Sequence, residues 1–273
     1  QIYGRKYAPD NDTVLAHVVF SLKYDDLDLQ FLKAVFNQLS QKEIIDFIAV
    51  SPSGKYARKI GFLYEFLCGV ELDLPFLVSG NYTDLLDKSE YITGRIMKDD
   101  RWRINNNLLG TSLFCPVVRR TVVLNQLLRT DTRLQIENLK TNYSADIFRR
   151  ATNYLYSKET RSSYEIENEK PSTERMNRFI ALLMQAGRAP SEQILSEASL
   201  TELQNSIVDS RFASTGFRDF QNYIGQLLPY GNELIHYICP PPQYVSTLMH
   251  GLKIVADKTE GIHPIIRAAL IAF

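Results

Sequence analysis

The sequence lacks net charge: 31 basic side chains meet 31 acidic ones over 273 residues. That balance argues against a chain that holds nucleic acid or an anionic membrane by overall charge, while leaving room for a local patch. Long apolar runs are also missing. No stretch of 18 apolar residues exists, so no membrane-crossing helix is expected, and no secretory signal pattern opens the chain. Cysteine is scarce. Cys68, Cys115 and Cys239 lie far apart without a CxxC pair, which fits reduced thiols in a cytoplasmic protein better than a disulfide framework. With 13 glycines and 11 prolines the chain is neither fibrous nor of low complexity.

Familiar catalytic motifs are missing too. There is no HExxH, no Cys/His ligand spacing, no GxGxxG, no P-loop and no GxSxG. Four histidines are present: His17, His236, His250 and His263. His263 precedes Pro264 at a helix start, where a capping or partly exposed histidine is the simpler reading. His236 alternates with Tyr237 and reads as an exposed strand residue.

Helical periodicity is abundant. Leu29, Leu32, Val35, Phe36 and Leu39 share one helix face. Further helices are expected over Ala57 to Leu67 with Gly69 as a stop, over Val117 to Leu128, and over Ala145 to Tyr156. In the last, Ile147, Ala151, Tyr154 and Leu155 form the inner face. Ser172 or Thr173 caps another helix, whose inward face is Met176, Phe179, Ile180 and Leu183; Gly187 and Pro190 close it. Ser199 and Glu202 have capping-box spacing. Pro241 and Pro242 precede a helix with Val245, Leu248, Met249, Leu252 and Val255 inward. Val14 to Leu22 and Ile44 to Val50 fit either short strands or buried helix.

The clearest strand signal is a pair. Phe220 to Ile224 and Ile235 to Ile238 flank ten residues containing Gly225, Pro229 and Gly231, the pattern of a long-looped β-hairpin. The expected fold class is mainly α with a small hairpin. A boundary is expected near residue 140, where Asn138 to Ser144 is polar and turn-like. From 91 to 160 there are 12 Lys/Arg against 6 Asp/Glu. This excess reads as a solvated face or as a docking surface for an acidic partner or nucleic acid, with Arg119-Arg120 and Arg149-Arg150 contributing.

The ends of the sequence add one expectation. Residue 1 is Gln, and the last eleven residues, from His263 to Phe273, form an apolar helical pattern without a Gly or Asn stop or a cationic last turn. The chain is therefore expected to be a piece of a longer protein.

Ser163-Tyr-Glu-Ile-Glu167-Asn168 matches the pattern [S/T]xxxE[G/N]. It resembles the inhibitory helix of the Fic family of nucleotidyl transferases. Downstream, Gly216-Phe-Arg218 and Gln221-Asn-Tyr-Ile-Gly225 resemble the first strand of the family's target-docking flap. Ile235-His-Tyr-Ile-Cys-Pro-Pro-Pro242 resembles the second strand and exit. Val245, Leu248, Met249 and Leu252 resemble the following helix. Gly261-Ile-His-Pro264 with Arg267 to Phe273 resembles the helix leading to the active-site loop. Order and spacing agree over about 110 residues. Upstream, Ser53-Gly-Lys-Tyr-Ala-Arg58, Phe62 to Glu65, Asn107 to Gly110, Phe114-Cys-Pro116 and Arg119-Arg-Thr121 look like the N-terminal extension of a longer bacterial subgroup.

The resemblance implies a Fic-like helical bundle with a β-hairpin flap, preceded by a helical extension. Residues 1–140 would be the extension and 141–273 the N-terminal part of the core. The activity implied is AMP transfer from ATP, with Mg²⁺, to a hydroxyl side chain of a target protein. The family signature HxFx[D/E]GNGRxxR is absent from these residues and is expected beyond Phe273, so this chain alone should be inactive and bind neither ATP nor Mg²⁺. Glu167 would occupy the γ-phosphate's place on the signature arginine, because carboxylate and phosphate compete for one guanidinium. Ser163 and Asn168 would orient that helix. Gln221, Asn222, Tyr223, Ile224, Gly225, Ile235, His236 and Tyr237 would form the flap, on which a target segment docks as an added strand. The aromatics Phe217, Phe220 and Tyr223 are expected to pack the hairpin onto the helices, while Tyr237 could face either way. The expected setting is cytoplasmic, with homo-oligomers compatible, no membrane partner, and nucleic acid disfavoured. The competing reading is a non-catalytic helical protein-interaction or nucleic-acid-binding module.

Overall fold

The computed structural model describes residues 3–9, 11–166, 170–185 and 190–272. Helix accounts for 55% of the chain and strand for 9%, so the fold is mainly α. The chain divides into two compact units, residues 1–125 with 254–273, and residues 126–253. Residue 140 falls inside a helix of the second unit.

The first unit opens with α1 (Val14–Tyr24), α2 (Leu29–Phe36), α3 (Gln41–Val50) and α4 (Lys55–Cys68). The two ambiguous segments are thus helices. Their starts explain why: Thr13 caps α1, Asp28 caps α2, and Ser40 with Glu43 forms a capping box on α3. Gly69 ends α4 with φ 69°, a left-handed conformation that costs glycine little.

Around α4 the core is dense. Phe36, Ile44, Ile48, Ile60 and Trp102 are fully buried. Gly61 sits mid-helix against Trp102, and a Cβ there would come within 2.1 Å of the indole ring. Glycine costs helix stability at that position, roughly 1 kcal/mol, but permits the ring to lie on the helix. Glu65, one turn on, accepts the indole N–H of Trp102 at 2.6 Å, the Arg101 guanidinium at 3.0 Å and the Leu72 amide at 2.8 Å.

Five short strands follow: β1 (Thr83–Asp84), β2 (Tyr91–Ile92), β3 (Met97–Asp99), β4 (Ile104–Asn106) and β5 (Val118–Arg119). They form a three-stranded sheet in the order β1-β4-β3 and a separate β2-β5 pair. The sequence reading missed all five. It also started a helix at Val117, whereas Val118–Arg119 pairs with β2 and α5 spans Val122–Leu128.

The second unit holds α6 (Thr132–Asn142), α7 (Ala145–Ile166), α8 (Thr173–Gln185), α9 (Ser191–Ile194) and α10 (Glu197–Ile207), followed by the strands β6 (Tyr223–Leu227) and β7 (Glu233–Ile238). Ser172 caps α8 by accepting the Arg175 amide at 3.2 Å. Helix α10 starts earlier than expected: Ser196, not Ser199, is its cap. The inner face expected for α7 is not buried, since Ile147, Tyr154 and Leu155 are all more than half exposed. Only Thr160 and Tyr164 of α7 are buried. The apolar stripe is real, but no other part of the described chain covers it.

A short 3-10 turn over Pro242–Tyr244 leads into α11 (Val245–Lys258). Val255 is fully buried, and the other expected inward residues are half-buried. α12 spans Pro264–Ala272 in the first unit, and His263 Nδ1 accepts the Ile265 amide at 3.3 Å, the capping role expected of it.

Candidate functional site

The hairpin is built on a short tether. Two side chains of α10 hold the incoming chain. Asn205 pairs with Ser214 both ways, its amide donating to the Ser214 carbonyl at 2.8 Å and its oxygen accepting the Ser214 amide at 2.9 Å. Glu197 accepts the Phe217 amide at 2.7 Å. Gly216 packs where a Cβ would meet the Glu197 carboxylate at 2.7 Å, so a larger residue there would displace this anchor.

A clasp closes the hairpin's base. Gln221 donates from its side-chain amide to the carbonyls of Asn222 at 2.9 Å and Cys239 at 2.7 Å, joining the two strand ends. Arg218 donates to the Phe220 carbonyl at 2.9 Å and also to the Pro240 carbonyl across the base. The Cys239 amide donates back to the Asn222 carbonyl at 3.1 Å. Sequence reasoning placed Gln221 on the flap but gave no special role to Arg218 or to Glu197. Side-chain bonds to carbonyls distant in sequence leave no periodic signal.

Within the hairpin the strands start three residues later than expected on the first side, and the register slips between Ile224 and Gly225. Ile224 faces Tyr237 while Gly225 faces Ile235, which leaves His236 as the extra residue of a β-bulge. Gly225 fits that bulge: a Cβ would approach the Leu234 carbonyl at 3.1 Å and the Tyr223 ring at 3.2 Å. The Tyr223 ring therefore lies across Gly225, and its hydroxyl reaches both Glu233 carboxylate oxygens at 2.8 Å. Accepting this bond, the Glu233 carboxylate raises the Tyr223 pKa.

This corrects the expectation for the aromatics. Phe220 is 64% exposed and Tyr223 braces the ribbon itself, so neither packs the hairpin onto helices. Phe217 is half-buried. Tyr237 is exposed, as are Ile224, Ile235 and His236. Every residue of both strands is exposed, and the sheet has two strands only. Its outer edges are consequently unpaired among the described residues.

At the far end of α7, Ser163 is exposed and donates to the Glu159 carbonyl of its own helix at 2.9 Å. Glu167 and Asn168 lie outside the described residues. The neighbouring Tyr164 is what anchors α7. Its hydroxyl donates to the Ile207 carbonyl at 2.9 Å, its ring meets Phe179 edge-on at 6.0 Å, and the Arg175 guanidinium stacks over it at 5.2 Å. Arg175 also donates to the Ile207 carbonyl, at 2.8 Å and 3.1 Å. One carbonyl at the end of α10 thus ties α7 and α8 together. Beside it lies a cavity of about 320 Å³, lined by Ser163, Tyr164, Ile166, Arg175, Phe179 and Ile207 among others.

The basic stretch is less available than its charge count suggests. Arg119 pairs with Asp26, and Arg120 donates to the Tyr91 carbonyl at 3.2 Å and to Asn125 at 3.3 Å. Arg149 and Arg150 are exposed, and both pair with Asp146. All three cysteines are free. Among the described residues no group of three His, Cys, Asp or Glu side chains is placed to hold a metal ion, and no helix is long and apolar enough to cross a membrane. Comparison with family models, with curated proteins and with solved structures found no match to this chain.

Proposed function

We propose that this chain is the regulatory and target-docking part of a Fic-type protein adenylyltransferase. One observation carries the reading: a two-stranded ribbon whose outer edges are unpaired among the described residues, clasped at its base by Arg218 and Gln221. A target segment adding as a third strand would use main-chain hydrogen bonds, which tolerate many sequences. The exposed aliphatics Ile224, Leu227, Leu234 and Ile235 would lie beside it. The family order of inhibitory pattern, flap and following helix supports the same reading.

Under this reading, the groups that would hold ATP and Mg²⁺ belong to the signature loop rather than to the residues of this chain. The sequence carries no Gly-Asn-Gly-Arg loop, and the described residues offer no metal-binding cluster. No step of transfer is therefore assigned to them. Their contribution is to position a target strand and, through Glu167, to contest the arginine that would bind the γ-phosphate.

The test is direct. ATP labelled on its α-phosphate is incubated with the 273-residue chain and with a form that includes a signature loop. The chain alone should transfer no label, and the form with the loop should modify itself or a target. Glu167→Gly should raise that labelling. Transfer by the chain alone, or no increase with Glu167→Gly, would refute the reading.

A further inference from the structure

Lys59 is a buried lysine whose ammonium forms no ion pair among the described residues. It lies on α4, in the first unit, with 8% of its surface exposed. Its ammonium donates to the Leu85 carbonyl. Among the described residues no carboxylate comes within 4.0 Å of it. The nearby acids are engaged elsewhere. Asp84 pairs with Lys88 at 3.1 Å and accepts from Asn105 at 2.7 Å, and Asp87 accepts from Ser89 at 2.8 Å and 2.6 Å. A buried ammonium held by one carbonyl is costly.

The amine has room beside it. Lys59 lines two cavities, one of about 150 Å³ shared with Tyr56, Glu90 and Tyr91, and one of about 320 Å³ shared with Thr83, Asp84 and Lys88. Lys55 lines both as well, one helical turn before Lys59. Its ammonium lies 5.6 Å from the Tyr56 ring centroid and has no carboxylate partner among the described residues. Lys23, Asp25, Asp87 and Arg119 complete the charged wall of the smaller cavity, and Asp87 lines the larger one too. Arg119 is already paired with Asp26.

Burial, and then the Lys55 charge, lower the Lys59 pKa from 10.5 to about 8, with Asp87, Asp84 and Glu90 pulling it upward. At pH 7 about a tenth is then the free amine, whereas an ordinary lysine is almost wholly protonated. A desolvated lysine beside a second cation is the arrangement that makes an amine nucleophilic.

We propose that Lys59 is a carbonyl-trapping site that takes a small aldehyde or ketone bearing a carboxylate, with Lys55 receiving the carboxylate. The nitrogen lone pair attacks the carbonyl carbon. The C=O π pair moves to oxygen, which takes a proton, and nitrogen loses one. The carbinolamine then expels its protonated hydroxyl as water, leaving a C=N bond. Amine and carbonyl compound give imine and water, with no oxidant or reductant consumed.

The probe is glyoxylate with cyanoborohydride, which reduces the imine to a stable secondary amine. The chain is digested and every lysine mapped over time and pH. Lys59 should react first, at least about tenfold faster than the exposed lysines at pH 7.5, and its rate should rise with a midpoint near pH 8. Lys55→Met should move that midpoint upward and slow the glyoxylate reaction. A purely structural lysine predicts the opposite order, since burial would make Lys59 the slowest. That result overturns the site, as does a fast phase surviving in Lys59→Arg. If that variant fails to fold, the map of the unaltered chain decides alone. Propionaldehyde should react with Lys59 much more slowly than glyoxylate; equal rates would overturn the carboxylate specificity.

Discussion

The two units keep their shape by different means. The first is built on a buried core. The second has few buried apolar side chains: Tyr164 and Leu195 are the ones recorded among the described residues between 126 and 253. Its order comes instead from polar ties to particular carbonyls: Tyr164 and Arg175 on Ile207, Asn205 on Ser214, Arg218 on Pro240. Burial of apolar area is non-directional and tolerates small displacement. A hydrogen bond to one carbonyl is directional and contributes only about 0.5–1.5 kcal/mol. The first unit should therefore behave as the stable body, and the second as a set of elements that single substitutions can loosen locally.

The largest expected effect lies in the core. Trp102→Ala removes a fully buried indole and leaves a cavity beside Gly61, which should cost about 3–5 kcal/mol. Gly61→Leu should be at least as damaging, because the new side chain has no space against the ring. Chemical denaturation of the first unit measures both. A loss below about 1 kcal/mol for either would break the contrast between the units.

Lys59 provides the next effect, through pH. Its folded pKa is about 8 against 10.5 unfolded. Between those values the unfolded chain binds more protons, so stability rises with pH across that window. Well below pH 8 the full penalty applies, about 3 kcal/mol. The cysteine thiols Cys68 and Cys115 and the tyrosines Tyr56 and Tyr64 are raised by burial and oppose this trend near its alkaline end. The clean measurement is therefore the stability difference between the native chain and Lys59→Met from pH 7 to 10. That difference should shrink steadily as pH rises. A constant difference would mean that Lys59 is not penalised by its surroundings.

The hairpin clasp comes third. Arg218→Ala removes bonds to the Phe220 and Pro240 carbonyls, and Gln221→Ala removes those to Asn222 and Cys239. Either should speed amide exchange in β6 and β7 by roughly tenfold, leaving the exchange of α4 unchanged. Slowed exchange of the same amides on adding a target peptide would support strand addition.

How much of this was legible beforehand depended on whether the signal was local. α4, α8 and α12 follow from apolar spacing and from punctuation by Gly69, Ser172 and Pro264. The hairpin was legible because β-branched and aromatic residues flank a Gly/Pro loop. β1 to β5 were not, since strands of two or three residues carry no alternation to read. α7 shows the limit from the other side. Its stripe of Ile147, Tyr154 and Leu155 has helical period, but period does not say what covers a face, and these residues are exposed. The site divides in the same way. The hairpin strands were found by pattern, whereas the Arg218 clasp and the His236 bulge depend on register, which pattern does not fix.

The smallest effect probes that register. Tyr223 reaches across Gly225 to Glu233 only if the bulge sits between Ile224 and Gly225. Donation to the Glu233 carboxylate stabilises the protonated phenol, so Tyr223 should ionise at higher pH than an ordinary tyrosine. Glu233→Gln removes the negative acceptor and should bring that ionisation down, as read by the tyrosine signals in an NMR titration with Tyr223→Phe as the assignment control. Because the pair is solvent-exposed, the change should leave global stability nearly untouched and alter exchange less than Arg218→Ala does. An unaltered Tyr223 titration in Glu233→Gln would show that the ring does not cross Gly225, and the register that makes His236 the bulged residue would have to be reassigned.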